Sequence, residues 1–178
     1  MLSKYYGCAA FVVLIGNSSI TAAHELGAHV HGIATLQVAV DEKTMTLDFS
    51  SPLDNLLGFE HEPRDAKQKA AVKNMADSLN KAGLLFIPTT DAQCTLQSVK
   101  LDSLVLNKKS SQDKEEAGGH ADLDGEFVFT CKQIGKLHEL DVQIFTTFPN
   151  LHQLKVEVAT LKKQTSAKLS ADQHHINW

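Results

Sequence analysis

Apolar and polar residues alternate after Gly32. Ala34, Leu36, Val38 and Val40 fall on one side of an extended chain, and Thr35 and Gln37 on the other. Successive side chains of a strand point to opposite faces, so this is a half-buried strand whose polar face continues back to His29 and His31. Asp41-Glu42-Lys43 supplies a turn, and Met45, Leu47 and Phe49 alternate with Thr44, Thr46 and Asp48, which predicts a hairpin. The stretch from Ser51 to Pro63 is punctuated by proline and glycine and reads as an ordered connector with at most a short helical turn. The period then changes. Ala71, Val72, Met75, Leu79 and Ala82 recur at helical spacing while Lys67, Lys69, Lys73 and Asp77 face elsewhere, with Pro63 suited to the first turn and Gly83 to the end.

Extended patterns return in the second half. Leu84–Ile87 is apolar and ends at Pro88; the stretch from Cys94 to Leu106 alternates loosely; Phe127, Phe129 and Cys131 share a face of a strand over Glu126–Cys131. Leu140, Val142, Ile144 and Phe148 predict a further strand, and Leu154, Val156 and Val158 another. Residues 107–119 are polar, charged and free of aromatics, the composition of a mobile loop. The tail from Ser166 adds a last strand before a frayed end carrying His174 and His175. One long helix among short alternating strands, with no repeat and no linker, predicts a single α+β domain. It is antiparallel and β-rich, with one main amphipathic helix.

The start of the chain reads as an export signal over residues 1–23: Lys4, the apolar run Ala9–Ile15, then Thr21-Ala22-Ala23 as a cleavage site. That run falls short of the ~20 residues of a membrane span, and no later segment is apolar enough for stable membrane insertion. Cleavage near Ala23 leaves residues 24–178 as one exported domain. The chain carries a net charge of −4, and Lys4 is the only charge the signal removes. An acidic balance argues against nucleic acid, whose binding needs clustered Lys and Arg. Cys94 and Cys131 then remain as an even pair in an oxidising compartment, which predicts a disulfide over a thiolate metal site.

The candidate chemistry is in the histidines. Three of the nine, His24, His29 and His31, fall within eight residues. On an extended chain His29 and His31 present two imidazoles to one side, and neutral imidazole suits Zn²⁺, Cu²⁺ and Ni²⁺. His61, flanked by Glu60 and Glu62, and His120, followed by Asp122, are further candidates if the fold brings them together. Four imidazoles, or three with Asp122, satisfy tetrahedral zinc, while Asp124, Glu60 and Glu62 suit the orienting role of outer carboxylates. Such a site weakens below pH ~6.5, where free imidazole gains its proton. His138 and His152 read as solvated side chains. No HExxH, GxSxG or glycine-rich phosphate loop is present, so the reading is of a binder and not an enzyme.

The phrases His29-Val30-His31-Gly32, Gly58-Phe59-Glu60-His61-Glu62-Pro63, Ala92-Gln93-Cys94, His120-Ala121-Asp122 and Phe145-Thr146-Thr147-Phe148-Pro149 occur in that order. Together they resemble the ZrgA-like family of zinc-regulated periplasmic zinc-uptake proteins. The resemblance implies a periplasmic protein that captures Zn²⁺ and works with a zinc importer of the ATP-binding-cassette type. It also makes His29 or His31, His61 and His120 the leading zinc ligands. Family members often carry a long His/Asp/Glu-rich stretch before the HAD phrase; here residues 107–119 are short and hold no histidine, so a fixed site has to carry the function. The residues themselves leave three other readings open. One is a periplasmic copper or nickel chaperone. Another is a protein-interaction domain with incidental histidines. The third is a zinc hydrolase, with His61 or His120 and their carboxylate neighbours serving a zinc-bound water.

Overall fold

A computed structural model describes residues 30–106 and 121–178; the expected signal segment, His24, His29, the polar loop 107–119 and His120 lie outside the described residues. Among the described residues, nine strands form two sheets. In chain order they are β1 (Ile33–Val40), β2 (Thr44–Pro52), β3 (Phe86–Pro88), β4 (Cys94–Asp102), β5 (Asp122–Cys131), β6 (Glu139–Val142), β7 (Gln153–Thr160), β8 (Gln164–Leu169) and β9 (His175–Asn177). The larger sheet has the order β4-β5-β2-β1-β7-β8, the smaller β3-β6-β9. All neighbours are antiparallel except β1 and β7, which run parallel with Ile33 opposite Gln153. The helices are α1 (Leu53–Leu57), α2 (Ala66–Leu79) and α3 (Ile144–Thr147). This is the α+β, mostly antiparallel architecture that the alternation predicts, with α2 as its one long helix.

The β1–β2 hairpin forms as expected, with Val40 opposite Met45. Ala34, Leu36, Val38, Met45, Leu47 and Phe49 are all buried on one face. The same face takes Leu123, Phe127 and Phe129 from β5 and Leu154, Val156 and Val158 from β7. Val72, Met75 and Leu79 of α2 join this cluster or border it, and the small sheet contributes Phe86, Leu140, Val142 and Ile176. Phe86 ties the two sheets together: its ring centroid lies 6.4 Å from that of Phe49 and 5.3 Å from that of Phe127. The opposite face of the large sheet carries Thr35, Gln37, Asp48, Asp124, Glu126 and Glu157, so its strands are buried on one side only. Gly125 belongs to this packing. A Cβ there would lie 2.9 Å from Cζ of Phe127, so the ring lies over bare backbone.

Several boundaries differ from the sequence reading. Helix α2 begins after Asp65, whose side chain accepts from the Gln68 amide at 2.8 Å, while Gln68 Oε1 accepts from the Arg64 amide at 2.7 Å. This reciprocal cap leaves Pro63 outside. The helix ends at Leu79, not near Gly83, because the Asn80 side chain donates to the Ala76 carbonyl at 2.8 Å; Ala82–Leu84 then forms a separate 3-10 turn. The strand expected from Leu140 to Phe148 stops at Val142. The Gln143 amide turns away to the Leu85 carbonyl at 2.8 Å and α3 follows. Ile144 and Phe148 are four apart, a spacing that fits a helical turn as well as a strand. Strand β5 starts at Asp122, four residues earlier than its aromatic alternation suggests.

The expected disulfide is present between Cys94 and Cys131, which face each other across β4 and β5. It closes a loop that contains the whole of residues 107–120. Replacing both cysteines with serine should therefore lower unfolding free energy by about 3–4 kcal/mol, the chain-entropy value for a loop of this size. Urea denaturation of the double variant beside the oxidised parent measures it.

Candidate metal centre

The centre is built where the chain enters β1. Val30–Gly32 is a turn, closed by the Ile33 amide donating to the Val30 carbonyl at 3.1 Å. Gly32 has φ +82°, a left-handed conformation that a side chain disfavours, and a Cβ there would lie 2.9 Å from the His152 ring. Strand alternation therefore stops at Ile33. His31 is aimed by this turn, so the expectation that it continues the polar face of β1 is corrected.

The turn is held by Asn55 of α1, whose side chain is buried. Its Oδ1 accepts from the Gly32 amide, and its Nδ2 donates to the Ile33 carbonyl at 3.0 Å and to Ser51 Oγ at 3.1 Å. The Gly32 carbonyl in turn accepts from the amides of His152 and Gln153, both at 2.9 Å, where β7 joins β1. Asp54, beside Asn55, is thereby brought to His31: its Oδ2 lies 3.5 Å from Nδ1 of the imidazole. Helix α1 ends at Gly58, φ +76°, whose amide donates to the Asp54 carbonyl at 2.8 Å. That left-handed residue turns the chain back, and Glu60 Oε1 reaches Nε2 of His31 at 3.2 Å.

This geometry suits a metal. Tetrahedral zinc with bonds of about 2.0–2.1 Å sets neighbouring ligand atoms roughly 3.3 Å apart. The Nε2–Oε1 separation is close to that edge, and Asp54 stands where an outer carboxylate orients an imidazole through its other nitrogen. His31 remains accessible, its side chain 56 % exposed, while Glu60 is 20 % exposed and its Oε1 is withdrawn from solvent.

The other expected ligands are placed as follows. His61 follows Glu60 by one residue, but its ring stacks on Phe59 with centroids 5.1 Å apart and its Nδ1 meets the Glu62 carbonyl at 2.9 Å. Asp122 lies opposite Pro52, next to the start of α1, with Oδ1 withdrawn from solvent and its backbone carbonyl accepting from Ser103 Oγ at 2.7 Å. The carbonyl of Ala121 accepts from the Leu53 amide at 2.9 Å. His29 and His120 are outside the described residues. His138 and His152 are exposed.

A second cluster joins His174 and His175, read from the sequence as at most a weak metal pair on a frayed tail, to Asp141, which the sequence does not single out. Among the described residues, Asp141, His174 and His175 are the one set of three metal-ligating side chains whose donor atoms lie within 4.8 Å of one another. The tail is not frayed: β9 pairs with β6, placing His175 opposite Asp141. Strand β9 has three residues, too few for a period, although buried Ile176 between exposed His175 and Asn177 is an alternation in miniature. Burial raises the Asp141 carboxyl, but hydrogen bonds from Gln143 and His174 and the charges of His175 and His174 outweigh it, holding its pKa below the usual value.

A model of the ZrgA family of zinc uptake proteins matches residues 28–178. The chain belongs to the ZrgA family. The match covers the whole described structure, including both histidine clusters, and confirms the resemblance drawn from the HxHG, GFEHxP and HAD phrases. The family is described as one of zinc uptake proteins. No curated protein matches the chain. No helix among the described residues is long and apolar enough to cross a membrane.

Two outcomes follow for the metal-free protein. Replacing Asn55 with Ala strips partners from the Gly32 amide and the Ile33 carbonyl and should cost about 1–3 kcal/mol of stability, read by chemical denaturation. Asp141 has a lowered folded-state pKa, so its stabilising contribution is present above the unfolded carboxyl value and is lost as pH falls through the folded one. Asp141→Asn should therefore flatten the acid limb of the stability curve, while an unaltered limb would mean that Asp141 titrates as it does when unfolded.

Proposed function

We propose that this protein is an exported, periplasmic zinc-binding protein that captures Zn²⁺ at the His31 centre and supports its import. The observation that carries this reading is the pairing of His31 Nε2 with Glu60 Oε1 at 3.2 Å, with Asp54 on the other ring nitrogen, in a chain of a zinc-uptake family. An imidazole and a carboxylate are borderline and hard donors, a mixture suited to Zn²⁺. Residues 1–23 act as the cleaved signal and residues 24–178 as the working domain.

The remaining ligands come from His29, His61, His120 and Asp122. Each is tied to this end of the fold by covalent connection or pairing. His29 is two residues before His31. His61 adjoins Glu60. His120 adjoins Ala121, whose carbonyl is bonded to Leu53, the neighbour of Asp54. Asp122 begins β5 beside Pro52. His61 reaches a shared ion by giving up its stacking on Phe59, a local rearrangement of one half-buried side chain. Zinc here is cargo: it binds, is held by neutral imidazoles and carboxylates, and leaves to a component of an importer of the ATP-binding-cassette type.

Zinc titration calorimetry on the metal-free chain lacking residues 1–23 tests the reading. His31→Ala and Glu60→Ala should each abolish one equivalent of binding, and His61→Ala and His120→Ala should weaken the same equivalent. Asp54→Asn, which keeps shape and removes charge, should weaken it by about 10–100-fold, as for other outer carboxylates. Retention of parental affinity in His31→Ala would move the capture site elsewhere. Competition by Cu²⁺ in vitro is expected from the Irving–Williams order, so the metal found in protein from growing cells decides the cargo.

A further inference from the structure

The small sheet holds the Asp141, His174 and His175 cluster on elements that the His31 centre does not use. Three structural features prepare it. Asp141 and His175 are directly opposed in the β6–β9 ladder, so their side chains rise from the same face. His174 is fixed by its own backbone, whose carbonyl accepts from the Val142 amide at 2.8 Å. Gln143 holds the carboxylate from one side, its Nε2 lying 2.8 Å from Oδ1 and 3.0 Å from Oδ2 of Asp141.

The donor atoms already bracket the spacing that a metal requires. His174 Nδ1 is 2.7 Å and His175 Nδ1 is 4.0 Å from the same Asp141 oxygen. Tetrahedral zinc needs about 3.3 Å between neighbours, so small side-chain rotations on a fixed backbone suffice. Glu139 Oε1 lies 3.0 Å from the same His175 Nδ1, so a further carboxylate oxygen stands beside the cluster. A shallow open groove of about 360 Å³ runs beside the cluster, lined by Pro88, Thr90, Asp91, Glu139, Asp141 and His175.

We infer that Asp141, His174 and His175 form a second Zn²⁺ site with three protein ligands, its fourth position open to solvent along the Pro88–Glu139 groove. Two imidazoles and one carboxylate with a vacant position match the donor set of open zinc sites, in which water or an incoming ligand completes the tetrahedron. A donor that can enter before the ion leaves makes such a site exchangeable. The inference rests on different residues from the His31 centre and stands or falls apart from it.

The chain offers its own reporter. Trp178 is the single tryptophan, and it extends β9 through its amide, which donates to the His138 carbonyl at 3.0 Å. It lies three residues beyond His175, within about 10 Å along an extended chain. The test titrates metal-free protein with Cu²⁺ while Trp178 emission is followed, and with Zn²⁺ by calorimetry. The parent should bind two equivalents of Zn²⁺, and Cu²⁺ should quench Trp178. His31→Ala should keep the quenching and lose only the other equivalent. The His174→Ala/His175→Ala pair should lose the quenching and one equivalent. Asp141→Asn, which keeps the side chain's shape, guards against a loss caused by unfolding of β9 and should give the same result with unchanged circular dichroism. Parental stoichiometry and quenching in the double variant would overturn the site. A single equivalent that His31→Ala abolishes would overturn it too, while leaving the proposed function intact.

Discussion

Asn55 spends both its amide hydrogens and its carbonyl oxygen on backbone and side-chain partners in two other segments, the Gly32-Ile33 entry to β1 and Ser51 of β2. A buried carboxamide left without partners costs a free energy comparable to a lost hydrogen bond for each orphaned group, so the arrangement is nearly all or none. Its consequence is positional. The turn before β1 cannot drift from α1, so the residues on either side of the tie, His31 and Asp54, are held within reach of each other. The same tie sets where β1 begins, and with it the parallel register that β1 shares with β7. The candidate metal centre and the main sheet thus depend on one side chain.

Two left-handed glycines do the rest of the positioning. Gly32 ends the alternation of β1 and turns His31 out of it, and Gly58 ends α1 and returns the chain so that Glu60 comes back to the imidazole. Each sits where a side chain is strained, and Gly32 also faces the ring of His152. The loop Gly58–Pro63 therefore works as a short arm on a rigid base, the usual division between a scaffold that is packed and a loop that carries function.

What the sequence disclosed follows from how much each element depends on neighbours. Strands β1, β2 and β7 were legible because one face is buried and the other solvated, which writes a period of two into the residues. Helix α2 was legible for the same reason at its own period, but its ends were not, since Asp65 and Asn80 set them by side-chain bonds. Segment 144–148 was misread because spacing by four serves both periods. His31 stands out in the sequence as half of a histidine pair; its contact with Glu60, there an outer residue, does not, since it depends on the turn at Gly58. The Asp141 cluster was illegible. Its members come from segments more than thirty residues apart in sequence, and β9 is too short to declare itself.

Capture and delivery make opposed demands on one ion-binding protein. A centre that surrounds zinc with every available donor gains affinity, and each tenfold gain adds about 1.4 kcal/mol that must be recovered before the ion leaves. A centre that keeps one coordination position open gives up part of that affinity and admits an incoming donor while the ion is still bound. The proposed His31 centre pairs an imidazole with a carboxylate oxygen already withdrawn from solvent, the makings of the first kind. The Asp141 cluster, on a short sheet beside an open groove, has the makings of the second. On the proposed function, a protein that takes zinc from dilute solution and yet parts with it gains from two such sites, because neither property then has to be compromised in a single one.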